Sequence, residues 1–134
     1  MDKAQEFRGD QGVYLLWLDL PQSCSITIGK LGEFTFTPGI YAYCGSAQRN
    51  LQARINRHRS LEKTLHWHID YFRARARYLG EVLFLDLPKQ GECWLVEELL
   101  RIPAAYYPVA GFGSSDCSCG AHLLKVPLAY ALGP

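Results

Sequence analysis

The chain has 134 residues, 49% of them hydrophobic, and a formal net charge of +1. That is enough apolar material for one compact domain with its own core. No apolar run reaches the ~18–20 residues that span a bilayer, and the opening MDKAQEFRGD is too polar for a secretory signal. The five cysteines (Cys24, Cys44, Cys93, Cys117 and Cys119) are odd in number and scattered, a usage that suits a reducing cytoplasm better than a disulfide framework.

In chain order, residues 1–10 read as a flexible lead into a single domain that fills the rest of the chain. Val13 to Leu20 is apolar and rich in strand formers, and it stops at Pro21. Ser25 to Ile28 and Glu33 to Thr37 alternate in polarity around Gly29-Lys30-Leu31-Gly32, which predicts a hairpin. Pro38-Gly39 turns the chain into a further strand, Ile40 to Cys44, and Gly45-Ser46 is expected to break it. Asn50 is placed to cap a helix from Leu51 to about Ser60. Thr64 is placed to cap a second helix with Leu65, Ile69, Phe72 and Ala76 on one face, ended by Gly80. Val82 to Leu87 reads as a buried strand, Glu92 to Arg101 as a helix stopped by Pro103, and Gly111 to Asp116 as turns. The expected fold is a small α/β domain of the α+β type: a mixed, largely antiparallel sheet flanked by helices, with an extra hairpin near the N-terminus.

The charge is unevenly spread. Between Arg49 and Arg77 eight basic residues face only Glu62 and Asp70, a local excess of six. A basic face on a near-neutral domain suits a polyanion, and nucleic acid is the first candidate. Arg49, Arg57, Arg59, Lys63, Arg73 and Arg77 are the expected phosphate contacts. His66-Trp67-His68 lies beside them, and Trp67 offers a ring on which a base could stack.

A set of reactive side chains adjoins this stretch. Gly12-Val13-Tyr14 and Tyr43-Cys44-Gly45 each place a tyrosine near a glycine, Arg54 lies nine residues after Gly45, and His58 follows four later. On a strand Tyr41 and Tyr43 share a face, and on a helix Arg54 and His58 share a side. Arg54 is thus expected at the edge of the core near Tyr43, where its planar fork could grip a phosphate. A tyrosine hydroxyl, with an ordinary pKa of about 10, needs nearby cations to act as a base at neutral pH. Glu92, in the first turn of its helix, shares a side with Val96, whereas Glu97 points outward.

The ordered series GVY, PGIYAYCGSA, LQARINRHR, HWHIDYF, GECWLVEEL and GFGSSDCSCGAHL resembles the GIY-YIG nuclease superfamily, and within it the small Uri-type branch, whose members stand alone or are fused to a DNA-repair glycosylase. The likeness runs from about Gly12 to His122. Val13 replaces an isoleucine of the first motif, Cys44 an aliphatic residue of the second, and the predicted hairpin lies as an insertion between the two motifs. The resemblance implies the GIY-YIG fold and metal-dependent cleavage of DNA. It implies that Tyr14, Tyr43, Arg54, His58 and Glu92 are the catalytic set, with Glu92 holding one Mg²⁺ or Mn²⁺. Asp116-Cys117-Ser118-Cys119 with His122 has the look of a metal knuckle. Its Cys-x-Cys spacing is too tight for structural zinc and a fourth ligand is missing, so an ordered loop without zinc is expected at Cys117, Cys119 and His122. Two other functions fit the same residues: a nucleic-acid-binding module that cleaves poorly and serves a DNA-repair partner, and a protein-interaction domain.

Overall fold

The computed structural model describes residues 9–114 and 119–127. Strand β1 (Gly12–Leu20) is the spine of the domain. It pairs antiparallel with β4 (Gly39–Ala47) on one side and with β5 (Arg77–Leu85) on the other. β6 (Leu123–Val126) joins the far side of β4, giving a four-stranded antiparallel sheet in the order β5-β1-β4-β6. β2 (Cys24–Ile28) and β3 (Gly32–Phe36) form a separate hairpin. Three helices, α1 (Leu51–Arg59), α2 (His68–Arg73) and α3 (Gly91–Leu100), complete an α+β fold. None of the described helices is long and apolar enough to cross a membrane.

β1 is apolar along nearly its whole length because both of its faces are covered. Tyr14, Leu16 and Leu18 pack with Tyr41, Tyr43, Leu51, Ile55, Ile69, Phe72 and Phe112 on one side of the sheet. Leu15, Ala42, Cys44 and Leu124 pack against Val96 and Leu99 of α3 on the other. The period-two alternation of β1 and β4 therefore feeds two small cores, with α1, α2 and the hairpin over one and α3 over the other.

Several expectations are corrected. β4 does not break at Gly45-Ser46 but continues to Ala47, opposite Gly12. Asn50 sits in left-handed backbone (φ 58) and its side chain caps nothing. Instead the Asp10 carboxylate accepts the Gln52 amide at 2.8 Å, and the Asp10 carbonyl accepts the Leu51 amide at 3.0 Å. Asp10 thus belongs to the start of α1 rather than to a flexible lead, of which residues 1–8 lie outside the described residues.

The second helix is the larger departure. It starts at His68 rather than after Thr64, and it ends at Arg73. Ile69, Phe72 and Ala76 are buried as their spacing predicts, but Leu65 is 40% exposed. The stretch from Arg77 pairs with β1 instead of staying helical, and Gly80 lies inside that strand beside a register shift. The strand expected over Val82 to Leu87 is the second half of this longer edge strand. It is not buried: Leu79, Val82, Leu83 and Leu85 all retain substantial exposure. An apolar run does not by itself distinguish a covered strand from an edge strand.

Several basic side chains hold the turn between α1 and α2. Arg73 donates to the carbonyls of His58 (3.0 Å), Arg59 (2.7 Å) and Ala76 (2.8 Å), tying the end of α1 to the end of α2. Asp70 is fully buried. It accepts two bonds from Arg57, at 2.9 and 2.8 Å, and one each from the His66 and Trp67 amides at 2.8 Å. Burial pushes the Asp70 carboxyl up, but the bonds from Arg57 and the two amides outweigh it and hold the pKa below its ordinary value. A depressed carboxyl stabilises the fold above its unfolded pKa of about 3.9, and that contribution is lost as pH falls through the lower folded value. Asp70→Asn is expected to cost about 3 kcal/mol, near the low end for breaking a buried pair because Arg57 keeps access to water. In urea titrations the gap between wild type and variant should stay constant from about pH 8 to about pH 5 and shrink below about pH 4.

Candidate active site

The predicted residues meet in one cleft of about 430 Å³, lined among others by Tyr14, Tyr43, Ser46, Arg54, Trp67, Glu92 and His122. β1 and β4 bring the two tyrosines together. Tyr14 lies opposite Gly45, and Leu16 lies opposite Tyr43, so Tyr14 and Tyr43 are diagonal neighbours on one face. His58, fully buried on α1, stands over both, its ring 5.2 Å from that of Tyr14 and 6.3 Å from that of Tyr43.

Gly45 does a different job from the one its sequence context suggests. It makes no turn. A Cβ there would lie 2.6 Å from the ring carbon and the hydroxyl oxygen of Tyr14. The glycine of the second motif is thus the cradle that lets the tyrosine of the first lie flat across β4. Gly45→Ala is expected to push the ring off its seat, at a cost of about 1–3 kcal/mol for overpacking a core. The urea midpoint measures that cost.

The Tyr14 hydroxyl and His58 Nε2 are 2.7 Å apart, while His58 Nδ1 is buried with no hydrogen-bond partner among the described residues. An orphaned lone pair costs less than an orphaned N–H, so the favoured tautomer leaves Nδ1 bare. Nε2–H then donates to the Tyr14 oxygen, and the phenol O–H is left to face the cleft. Burial, aided by the Lys63 charge, pulls the His58 pKa down to about 3, so the ring is neutral. Burial also raises Tyr14 to about 12, although Arg54 pulls the other way through its charge and a hydrogen bond. Tyr43 is pushed well up by burial and by the neighbouring Tyr14. Arg54 alone therefore does not lower the tyrosines, against the simple expectation. Only a further cation beside them would.

Arg54 lies one turn before His58. Its Nη1 donates to the Ser46 carbonyl at 3.0 Å, and its guanidinium lies 4.5 Å from the centre of the Trp67 ring. Arg57 lies over the same ring at 4.3 Å. Trp67 is thereby a cation-stacked wall of the cleft, with His66 and His68 beside it. His68 is fixed by the Gly113 amide, which donates to its Nδ1 at 2.8 Å.

Glu92 enters from the first turn of α3 and is mostly buried. The Ser46 hydroxyl donates to its Oε2 over a short contact, and its Oε1 faces His122 Nδ1 at 3.7 Å. Burial lowers the His122 pKa against the pull of Glu92. A hard-oxygen donor with lone pairs still open, in a roomy polar cleft, fits one Mg²⁺ or Mn²⁺ that keeps most of its waters. Glu97 is exposed, as expected.

The basic face is smaller than the sequence suggests. Arg57 is committed to Asp70, and Lys63 donates to the Arg57 carbonyl at 2.9 Å. Arg59 pairs with Glu81 at 2.5 Å, and Arg77 with Asp19. Arg73 is spent on carbonyls, as described above. Of the expected phosphate contacts, Arg49 is exposed and has no ion pair among the described residues.

Sequence reasoning missed Ser46, Gln48, Lys89 and Gly113, which also line the cleft. Ser46 follows Gly45 directly, but its sequence context marks a strand end. His122 stands out in the sequence only beside the Cys-x-Cys spacing. Cys117 and Asp116 lie outside the described residues.

Residues 13–131 match the family model described as "Domain of unknown function DUF123". The chain belongs to this family. The match runs from β1 past β6 and so contains every residue of the cleft. No curated protein and no solved structure matches the chain.

Proposed function

We propose that the cleft is a phosphodiesterase site of the GIY-YIG type, of the Uri-like branch, cutting DNA as a metal-dependent endonuclease in a cytoplasmic, repair-associated setting. The observation that carries this reading is the convergence of Tyr14, Tyr43, Arg54 and Glu92 on one cleft, with His58 bonded behind Tyr14.

The proposed reaction is attack by water on phosphorus, in line with the departing 3′ oxygen. Tyr14 would first lose its cleft-facing proton to solvent; the phenolate, supported by His58 Nε2–H and by Arg54, would then orient that water and take its proton. His58 acts through Tyr14 and is not itself the base, because its free nitrogen is shut in the core. Tyr43 would complete the wall around the water. The open part of the Arg54 guanidinium would bind the non-bridging oxygens as charge builds on them. Glu92 would hold the Mg²⁺ or Mn²⁺, which supplies stabilisation of the leaving oxygen. Arg49, His66 and the Arg-stacked Trp67 are the surfaces left for the flanking strand.

A binding module serving a repair partner is the second reading. The high pKa of Tyr14 in the resting site favours it, and single-turnover cleavage decides. Branched, nicked and single-stranded DNA with Mg²⁺ and with Mn²⁺ are the substrates. Arg54→Lys keeps the charge but loses the planar fork. It is expected to slow cleavage at saturating DNA by about a hundredfold or more while weakening binding far less. Glu92→Gln should abolish cleavage and leave DNA binding nearly intact. Wild-type protein that binds these substrates and cuts none would establish the binding-module reading.

The pH profile separates Tyr14 from His58 as the base. A phenol that must lose its proton gives a rate that rises with pH, with no inflection near the ordinary histidine value of about 6.5. A cleavage step whose rate stays flat between about pH 5 and about pH 9 would assign the base to His58 instead, since its ring is already neutral there.

A further inference from the structure

Next to Glu92 lies a second cluster that the reaction above does not use. Cys93 is the next residue of α3, and Cys119 and His122 precede β6. One ligand atom from each lies within 4.8 Å of the others. His122 Nε2 is 3.0 Å from Cys119 Sγ, while the opposite ring nitrogen, Nδ1, faces Glu92 Oε1 at 3.7 Å. His122 is 3% exposed, and neither Cys93 nor Cys119 is in a disulfide.

We propose that Cys93, Cys119 and His122 form a soft transition-metal site, of the zinc class, that holds His122 by Nε2 and turns its Nδ1–H toward Glu92. Two sulfurs and an imidazole select a zinc-class ion over magnesium, which takes oxygen. The objection raised by the tight Cys117-Ser118-Cys119 spacing does not apply, because the second sulfur comes from α3 and not from the same loop. The carboxylate beyond the far nitrogen of a metal-bound histidine is the usual outer partner that fixes the ring and its tautomer. Here that partner is the carboxylate of the cleft. The soft site would therefore set the position of Glu92, which makes the cysteines and His122 positioning residues. Loading is a balanced exchange: the divalent ion enters and the two thiols release their protons to solvent. Three ligands of a tetrahedral ion come from the described residues.

The proposal does not depend on cleavage of DNA, and its test contains none. The 134-residue chain is reduced with a phosphine, stripped with chelator and titrated with Co²⁺ as the spectroscopic substitute for zinc. One equivalent should bring up thiolate-to-cobalt charge-transfer bands and the intense visible bands of a tetrahedral ion, and Zn²⁺ should bleach both. Cys93→Ser and Cys119→Ser should each weaken the charge-transfer band, and Cys24→Ser, in the remote hairpin, should leave it unchanged. Glu92→Gln should keep the spectrum but lower the metal affinity by about 10–100-fold, the usual effect of losing an outer partner. Zinc should also raise the melting temperature of wild type and not of Cys93→Ser, and circular dichroism of that variant checks that it folds. Wild type with no thiolate band at stoichiometric Co²⁺ would overturn the proposal, as would a band untouched by Cys93→Ser. An affinity unchanged in Glu92→Gln would remove the link to the cleft. A metal-loaded chain that cuts nothing would leave this site standing and remove only the nuclease reading.

Discussion

The pairing of β1 with β4 is the constraint on which the site depends. It sets Tyr14 across from Gly45, and the missing Cβ at Gly45 lets the Tyr14 ring lie over β4 with its hydroxyl within reach of His58. A one-residue slip of β1 in this register would send Tyr14 to the α3 side of the sheet, away from Tyr43. Two long apolar strands packed on both faces make such a slip costly, since every β1 side chain would change from one small core to the other. The same pairing explains why the two tyrosine-glycine strings can lie far apart in sequence. The β2–β3 hairpin leaves and rejoins the sheet beyond the ends of β1 and β4, so its length does not disturb the contact at Tyr14.

Arginine accounts for much of the rest. The sequence presents the stretch from Arg49 to Arg77 as a basic face, yet the fold uses most of it as internal fastening. Arg57 and Asp70 join α1 to the entry of α2, Arg73 caps α1, and Arg59 and Arg77 latch β5 through Glu81 and Asp19. Neutral patches of charge in a folded chain are common where long basic side chains meet carbonyls and carboxylates from neighbouring elements. What remains at the cleft is part of Arg54 and a tryptophan whose ring is already occupied by two guanidinium groups, with Arg49 exposed outside its lining. For the proposed nuclease such a set would favour a local phosphate contact over a broad electrostatic track along a duplex.

Periodicity made much of this legible in advance. β1, the hairpin and the helices at Leu51 and Glu92 follow directly from alternation, turn residues and helical spacing. Tyr14, Tyr43, Arg54 and Glu92 could be named because their types and order were distinctive. What was not legible depends on contacts between distant segments. Asp10 in place of Asn50 as the start of α1 is one such case, and β5 in place of a longer second helix is another. Thr64 to Gly80 has helical spacing at Ile69, Phe72 and Ala76. The open edge of β1 nevertheless claims everything from Arg77 onward, and strand pairing outweighs local propensity there. β6 was missed because four residues give too short a pattern to read. The meaning of Gly45 was hidden for a similar reason: only the partner strand shows what a glycine makes room for.

Burial then decides how the site must work. Tyr14 and His58 lie inside a core, and the low dielectric there disfavours both the phenolate and the imidazolium. Arg54 stands close enough to help Tyr14 but does not overcome its desolvation. At rest Tyr14 and His58 are therefore both uncharged. In the proposed reaction a second positive charge beside Glu92 would change that balance in two ways at once: it would offset the buried phenolate and stabilise the leaving oxygen. A base built into the core would then become competent only when a cation and a phosphate arrive together. Glu92 is held between Ser46 on one side and His122 on the other. If the charge enters through that carboxylate, as the proposed reaction requires, a small shift in its position would matter more than the loss of any exposed arginine.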